Sequence, residues 1–251
     1  MRLWVTGASG FVGSELVARA RAIGWDVDTT RVEVRDSRAV AAHLARSRPD
    51  VAINTAYRQG GPDEWTTNVD GAEVIARACR EAGVRLVHVS TDVVFDGRKG
   101  APYVENDEPS PITDYGRAKA EAERRVAAAD PDALLVRTSL VCAGPGRDPG
   151  RHERAALDGG GTFYTDEIRS PVALADLADA LLELAQTDAR GPLHVAGADD
   201  VSRHELATLV AGRPVPGTPA PPDRPLDCSL DSSRARAMIR TRLRGVRELY
   251  G

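Results

Sequence analysis

The sequence predicts an α/β fold, a doubly wound parallel sheet with a small C-terminal lobe. Through the first half of the chain, short apolar segments alternate with helical stretches of ten or more residues. Strands joined by helices of that length pair in parallel through right-handed crossovers. A glycine-rich turn joins the first strand to the first helix. After residue 142 the alternation gives way to short segments rich in Gly, Pro and Arg.

The individual elements follow from apolar spacing and from the residues that end helices. Apolar runs predict strands at residues 2–6, 25–30, 51–53, 85–90, 134–138 and 193–195. Helical spacing predicts helices at residues 11–23, 38–46, 68–82, 115–128, 176–185 and 203–210, with weaker helical signals at 151–158 and 232–250. Gly24, Pro49 and Gly83 end three of these helices. Ser202 and Glu205 form a capping-box pattern at the start of another.

Composition narrows the classes of function. The formal net charge is −4 and the basic residues are scattered, so neither nucleic acid nor a membrane is expected as a partner. No apolar stretch approaches the roughly 18–20 residues that cross a bilayer. No secretory signal is visible, and we therefore expect a cytoplasmic protein. The three cysteines and five histidines lack the spacing of metal ligands, so no metal site is expected.

The glycine-rich turn predicts a dinucleotide site. The segment TGASGFVG, residues 6–13, follows a strand and opens a helix. Gly7 permits a tight turn, Gly10 lets the backbone approach a pyrophosphate, and Gly13 lets the helix lie close to the sheet. The free N–H groups of the helix N-terminus attract phosphate. Ser9, Phe11 and Val12 complete this candidate set.

The end of the second predicted strand indicates which dinucleotide binds. An acidic residue at this place holds the ribose 2′-hydroxyl of NAD, whereas arginine favours the 2′-phosphate of NADP. Thr30 and Arg31 occupy the place of a phosphate, and Asp28 comes too early in the segment. The sequence therefore favours NADPH and leaves NAD open.

Tyr115 and Lys119 form a candidate acid pair. Residues four apart share one face of a helix, so the phenol and the ammonium can point into the same cleft. A nearby ammonium lowers the pKa of a tyrosine from its usual value of about 10, which makes the phenol a better general acid. Lys99 and Lys119 are the two lysines of the chain, so this spacing rarely arises by chance. Lysine can also bind the ribose hydroxyls of a dinucleotide.

Two hydroxyl residues end the fourth predicted strand. Open α/β sheets bind their ligands at the C-terminal ends of the strands, which is where Ser90 and Thr91 lie. A hydroxyl there can hydrogen-bond a substrate carbonyl and hold it beside the phenol. For both residues the alternative is a hydroxyl that caps the local backbone.

Together these motifs resemble the extended short-chain dehydrogenase/reductase family, and within it the dTDP-4-dehydrorhamnose reductase-like group of sugar-nucleotide reductases. The matching segments are VTGASGFVG at 5–13, STDVVFDG at 90–97, YVEND at 103–107, PITDYGRAK at 111–119, RTS at 137–139, DEIRSPV at 166–172, DLA at 176–178, HVAG at 194–197, SRHELA at 202–207 and RPLDCSLD at 224–231. The resemblance spans nearly the whole chain, in the order of the family.

The resemblance implies a function for each of these segments. It implies NADPH-dependent reduction of a ketone, a 4-keto-6-deoxy sugar nucleotide, by hydride transfer with a tyrosine as general acid. The implied catalytic residues are Thr91, Tyr115 and Lys119. The implied neighbours of the cofactor include Asn54, Thr55, Ala56 and Ser90, and those of the substrate are Asp92, Val93, Glu105, Arg169 and Arg224. For Asp92 and Glu105 the alternative is a carboxylate that orders a loop.

The resemblance also implies a division of the chain. Residues 1–142 would form a Rossmann dinucleotide-binding domain, to which residues 172–195 return. Residues 143–171 and 196–251 would form a lobe that binds a nucleotide-sugar. A homodimer is left open.

One departure and two alternatives bear on this interpretation. Val93 stands where the rhamnose enzymes carry tyrosine, which removes a polar contact from the sugar pocket. One alternative is a non-catalytic, NADP-binding regulatory subunit, which would have no need of the Thr–Tyr–Lys set. The other is a sugar-nucleotide epimerase or dehydratase with tightly bound NAD. A dehydratase requires acidic residues directly after the threonine, and this chain has only one there, Asp92.

Overall fold

The computed structural model describes residues 1–58 and 60–251, and the chain divides into two compact units. The first unit contains residues 1–90, 118–136 and 181–193, and the second contains residues 91–117, 137–180 and 194–251. The predicted division into a dinucleotide-binding domain and a substrate-binding lobe at residue 142 stays a prediction.

The first unit is built on a sheet of six strands. The strands are β1 (Arg2–Thr6), β2 (Asp26–Asp28), β3 (Val51–Asn54), β4 (Arg85–Thr91), β5 (Leu134–Thr138) and β9 (Gly191–His194). Their order in the sheet is β2-β1-β3-β4-β5-β9. β1 pairs in parallel with both β2 and β3, and β3 pairs in parallel with β4. This arrangement confirms the predicted doubly wound parallel sheet.

The long helices lie where the apolar spacing predicts them. They are α1 (Phe11–Ala22), α2 (Ser37–Ser47), α3 (Gly71–Ala82), α4 (Asp114–Ala129) and α6 (Leu174–Leu184). A π-helical turn, Thr66–Asp70, precedes α3. Asp36 caps α2, because its carboxylate accepts the backbone N–H groups of Arg38 and Ala39 at 3.0 Å each.

The core of the first unit lies between the sheet and its helices. Trp4, Ala52 and Leu86 come from three neighbouring strands and pack with Leu44 of α2 and Ile75 of α3. All five side chains are at most 2% exposed. This burial fixes the sheet, and with it the positions of the loops at the C-terminal ends of its strands.

The second unit contains the shorter elements. They are β6 (Val141–Cys142), α5 (Arg151–Asp158), β7 (Ile168–Arg169), β8 (Val172–Ala173), β10 (Val201–Ser202), α7 (Arg203–Ala211), α8 (Ser233–Met238) and α9 (Val246–Tyr250). β7 pairs antiparallel with β10, and β6 pairs in parallel with β8. Ser202 caps α7 by accepting the N–H of Glu205 at 2.9 Å, whereas the carboxylate of Glu205 pairs with Arg247.

Across the described ranges, none of the helices is both long enough and apolar enough to pass through a bilayer.

Candidate functional site

The glycine-rich turn is tightly packed against the end of β3. Gly7 has a φ of +70°, and a Cβ placed there would lie 2.8 Å from the backbone of Thr55 and Ala56. A Cβ on Gly13 would lie 2.2 Å from the carbonyl oxygen of Gly7. Thr55 stabilises the packing of the turn against the end of β3, because its hydroxyl donates to the carbonyl of Thr6 at 2.7 Å. The turn therefore requires glycine at positions 7 and 13, as predicted from the motif.

The start of α1 is open to a ligand. The first helical hydrogen bond runs from the N–H of Ser14 to the carbonyl of Gly10 at 2.9 Å. The N–H groups of Phe11, Val12 and Gly13 come before that bond, as the first N–H groups of a helix do. Ser9 and Phe11 are exposed, so this end of the helix is available to an anion.

A cavity of about 930 Å³ lies beside this turn, within the first unit. Its lining comes from residues 5–9, from the loop 29–35, from Ala56, Tyr57 and Arg58 after β3, and from Val17, Arg21 and Thr67. The four arginines of this lining are Arg21, Arg31, Arg35 and Arg58, against one acidic residue, Glu33. The cavity suits an anionic ligand, and it contains the predicted Thr30 and Arg31 as well as Ala56.

A chain of buried polar groups connects the turn to Lys119. The hydroxyl of Thr6 donates to Asn54 Oδ1 at 2.5 Å, and the N–H of Ala56 donates to the same oxygen at 3.1 Å. The amide nitrogen of Asn54 then lies 3.0 Å from His88 Nδ1, and His88 Nε2 lies 3.5 Å from Lys119 Nζ.

Lys119 is held deep in the first unit. It is 5% exposed, and Nζ donates to the carbonyl of Val89 at 2.7 Å. Burial lowers the pKa of Lys119 to about 8, against the opposing charge of Glu123. Burial and the neighbouring Lys119 lower the pKa of His88 well below its usual range, so His88 is neutral at physiological pH.

Ser90 is buried and hydrogen-bonded within the same unit. It is 4% exposed, and its hydroxyl donates to Glu123 of α4. In this structure its hydroxyl thus has a protein partner, and its predicted contact with a cofactor stays a prediction.

The predicted catalytic Tyr115 and Thr91 both belong to the second unit. Tyr115 is half-buried in the first turn of α4, with Lys119 one helical turn further on. A Cβ on Gly116 would lie 2.2 Å from the carbonyl oxygen of Val93. The start of α4 is therefore pressed against the turn that follows Thr91, and Tyr115 stands next to the end of β4.

Thr91 and Asp92 form a local network at that strand end. The Thr91 hydroxyl lies 3.1 Å from Asp92 Oδ1, and it accepts the N–H of Val93 at 3.4 Å. The buried carboxylate of Asp92 also accepts the hydroxyl of Ser139 at 2.6 Å and lies 3.6 Å from Arg169 Nε. Burial raises the pKa of Asp92, and the charge of Arg169 acts against that rise.

Three arginines surround one buried carboxylate in the second unit. Glu167 is fully buried and lies 3.0 Å from Arg169, 3.3 Å from Arg203 and 2.9 Å from Arg224. Arg169 is 2% exposed, and its guanidinium also donates to the carbonyls of Ile168, Pro225 and Leu226. Arg224 is 36% exposed and lies over the ring of Tyr164. Of the two arginines predicted to bind substrate, Arg224 is thus the accessible one.

The predicted Glu105 also has partners within the second unit. It is 8% exposed, its carboxylate accepts the N–H of His194 at 3.2 Å, and it lies 3.7 Å from Arg234. A group of three or more His, Cys, Asp or Glu side chains suited to a metal ion is absent from the part of the chain that the structure describes.

Sequence reasoning missed several residues of these networks. His88 lies in the fourth predicted strand and Glu167 in a segment that matches the family, but their roles come from partners distant in the chain. Arg21, Arg35 and Arg58 line the cavity from three separate segments. Their only sequence signal was proximity to the glycine turn, to the loop after β2 and to the end of β3.

The chain is similar in sequence and in fold to known reductases. The family described as RmlD substrate binding domain matches residues 1–249. A dTDP-4-dehydrorhamnose reductase of Mycobacterium tuberculosis is 39% identical over 227 residues, covering 83% of this chain and 74% of that protein. A dTDP-4-keto-6-deoxy-D-glucose reductase of Streptomyces niveus is 34% identical over 244 residues, covering 89% and 83%. The crystal structure of a Bacillus anthracis dTDP-4-dehydrorhamnose reductase in complex with NADP has the same fold, with a TM-score of 0.86, 24% identity, and coverage of 98% and 96%.

Proposed function

The chain belongs to the RmlD substrate binding domain family, and from that premise we propose that it reduces the 4-keto group of a dTDP-linked 6-deoxy sugar with NADPH. It is an NADP-dependent oxidoreductase, in line with the reductases that are 34–39% identical to it. The observation that supports the proposal is the packing of Gly116, next to Tyr115, against the carbonyl of Val93, two residues after Thr91.

The cavity of the first unit fits the adenosine end of NADPH. Its arginines supply positive charge for a 2′-phosphate, and the open N-terminus of α1 supplies N–H groups for the pyrophosphate. The bound NADPH supplies the hydride that reduces the carbonyl carbon. NAD remains the weaker candidate, since no carboxylate other than Glu33 lines the cavity among the described residues.

Tyr115 is the proposed general acid. As the carbonyl oxygen gains negative charge, the phenol O–H of Tyr115 transfers its proton to that oxygen, and the ketone becomes a secondary alcohol. Thr91 would orient the same oxygen through its hydroxyl. Lys119, as the ammonium, favours the phenolate that remains on Tyr115, and general acid catalysis of this kind contributes about 10²–10⁴-fold.

The second unit supplies the proposed contacts of the nucleotide-sugar. Arg203 and Arg224 together carry more positive charge than the buried Glu167 neutralises, and Arg224 is partly exposed, which suits a diphosphate. Val93 leaves an apolar side chain at the sugar position. We therefore propose a 4-keto-6-deoxy sugar nucleotide as the substrate class, with dTDP-4-dehydrorhamnose as one member of it.

The test is oxidation of NADPH against a panel of keto sugars. The panel would contain dTDP-4-dehydrorhamnose, dTDP-4-keto-6-deoxy-D-glucose and a keto sugar without a nucleotide, each with NADPH and with NADH. The proposal predicts turnover with at least one dTDP-linked ketone, faster with NADPH. A protein that oxidises NADPH with none of them, or that keeps bound NAD through dialysis and interconverts sugar epimers, would contradict it.

A further inference from the structure

β2 ends at Asp28 and not at residue 30 as predicted, so Asp28, which the sequence placed too early, stands where dinucleotide-binding sheets carry the acid that selects NAD. It is the last residue of β2, the place of the ribose-binding acid in NAD enzymes. Among the described residues, the cavity lining after β2 begins at Thr29, and Asp28 lies outside it. The side chain of Asp28 is only 16% exposed.

Two donors hold the carboxylate in that position. The backbone N–H of Thr30 donates to Asp28 Oδ1 at 2.9 Å, and His43 Nε2 lies 3.1 Å from Oδ2. Burial alone would raise the pKa of Asp28, but the hydrogen bonds from Thr30 bring it below its usual value. Asp28 is therefore an ionised carboxylate with its oxygens committed to protein donors.

His43 is itself fixed as the donor. It lies on α2 and is 2% exposed, and the ring of Trp4 packs on it with the centroids 4.8 Å apart. Arg46 Nη2 lies 3.2 Å from His43 Nδ1. A guanidinium only donates, so Nδ1 accepts and a neutral ring carries its proton on Nε2, facing Asp28.

The loop after Asp28 presents guanidinium groups to the cavity instead. Arg31 and Arg35 both line it. The acidic residue of the same loop, Glu33, accepts Arg35 Nε at 2.8 Å and Arg35 Nη2 at 3.1 Å, so its charge is paired. Asp63 lies 3.0 Å from Arg35 Nη1, so Arg35 is shared between two carboxylates. Arg31 is then the residue of this loop whose positive charge suits a 2′-phosphate.

We propose that His43 is a specificity-determining residue for the dinucleotide: it holds Asp28 away from the cofactor ribose, so that the cavity accepts the 2′-phosphate of NADPH. The inference rests on the proposed function, because it takes this cavity to be the adenosine end of the NADPH site. His43 acts through Asp28 and lies outside the cavity lining.

The test compares four variants by their dissociation constants for NADPH and NADH, measured by nicotinamide fluorescence without any sugar. His43→Leu removes the donor, and a buried carboxylate that has lost its partner is driven towards water and the cavity. There it repels the 2′-phosphate and can accept the ribose 2′-hydroxyl, so the preference for NADPH over NADH should fall about tenfold or more. His43→Gln keeps an N–H donor and should retain the preference.

Two further variants separate this effect from a general loss of structure. In Asp28→Asn the ratio of the two constants should stay within about twofold of wild type, because the side chain does not reach the ribose. In the double variant Asp28→Asn with His43→Leu, the preference for NADPH should return. The side chain at position 28 then has no negative charge that could repel the 2′-phosphate. Simple destabilisation would weaken both dinucleotides alike and leave their ratio unchanged.

Each remaining outcome overturns the inference. An unchanged ratio in His43→Leu, in a protein whose wild type binds NADPH, overturns it and leaves the proposed function standing. A large change in NADH binding by Asp28→Asn would mean that Asp28 already reaches the ribose in the wild type, and it would overturn the inference. This variant can be measured even if His43→Leu does not fold. A wild type that binds neither dinucleotide would overturn the proposed function together with the inference.

Discussion

At the scale of single residues, the chain buries ionisable groups and pairs them with distant partners. Lys119, 5% exposed, faces His88 and the carbonyl of Val89. Burial holds its pKa at about 8, compared with about 10.4 in an unfolded chain. Between these two values the unfolded protein binds a proton that the folded protein has released. Stability therefore rises with pH across that window, and it is lowest where Lys119 is charged in both states.

Lys119→Met tests this directly. Relative to the variant, the wild type should gain about 3 kcal/mol in free energy of unfolding between about pH 8 and about pH 10.4. Denaturant unfolding of both proteins across that range measures the difference. Lys99→Met is the matched control, because Lys99 pairs with Asp107 at the surface, and its difference from wild type should lack this rise. If the difference in free energy of unfolding between wild type and Lys119→Met did not change with pH, the ammonium of Lys119 would not be desolvated in the folded protein.

Glu167 is the second residue whose burial has a measurable consequence. It is the carboxylate that Arg169, Arg203 and Arg224 share. Glu167→Gln would leave three positive charges without it, and we expect a loss of about 3–5 kcal/mol in the free energy of unfolding. Glu121→Gln is the control, since Glu121 pairs with Arg124 and Arg125 on an exposed face of α4 and should lose no more than about 1 kcal/mol. Equal losses in the two variants would contradict the account.

The sequence predicted those residues whose roles are local. Gly7 and Gly13 are required by a turn of eight residues, and Tyr115 and Lys119 share a face because they are four apart on one helix. The partners of Lys119, Asp28 and Glu167 were not predicted, because His88, His43 and Arg224 come from other elements. Only the sheet register and the chain path bring such partners within 3.5 Å.

At the scale of elements, the sequence predicted those helices and strands in which the apolar residues recur with a visible period. The six strands and the long helices of the first half lie within a few residues of their predicted ranges. β6, β7, β8 and β10 were missed because two residues are too few for an alternation to be visible. The π-helical turn before α3 was absorbed into the predicted helix, and α6 begins at Leu174, two residues before its predicted start.

The packing of α1 against the glycine turn gives a prediction at this scale. A Cβ on Gly13 would lie 2.2 Å from the Gly7 carbonyl, whereas a Cβ on Gly160 would meet nothing within 4 Å. Gly13→Ala should therefore cost about 1–3 kcal/mol or more in the free energy of unfolding and weaken NADPH binding. Gly160→Ala should change stability by less than about 0.5 kcal/mol. Thermal unfolding and NADPH titration check both, and a Gly13→Ala protein that binds NADPH as wild type does would contradict the packing.

At the scale of the whole molecule, the chain passes several times between its two units. The first unit holds the glycine turn, the electropositive cavity and Lys119, and the second holds Thr91, Tyr115 and the arginines around Glu167. The order of motifs along the chain predicted this family, because that order is a property of the full sequence. Which residues form each compact unit could not be predicted, since it depends on segments that leave the first unit at residue 90 and return at residue 118.

The central claim is that the phenol of Tyr115 protonates the reduced carbonyl. The most direct measurement is the turnover of Tyr115→Phe with NADPH and a dTDP-linked 4-keto sugar, alongside the dissociation constant of NADPH for the same protein. The account predicts that turnover falls by about 10²-fold or more while NADPH binding stays at the wild-type value. A Tyr115→Phe protein that turns over at the wild-type rate would contradict it.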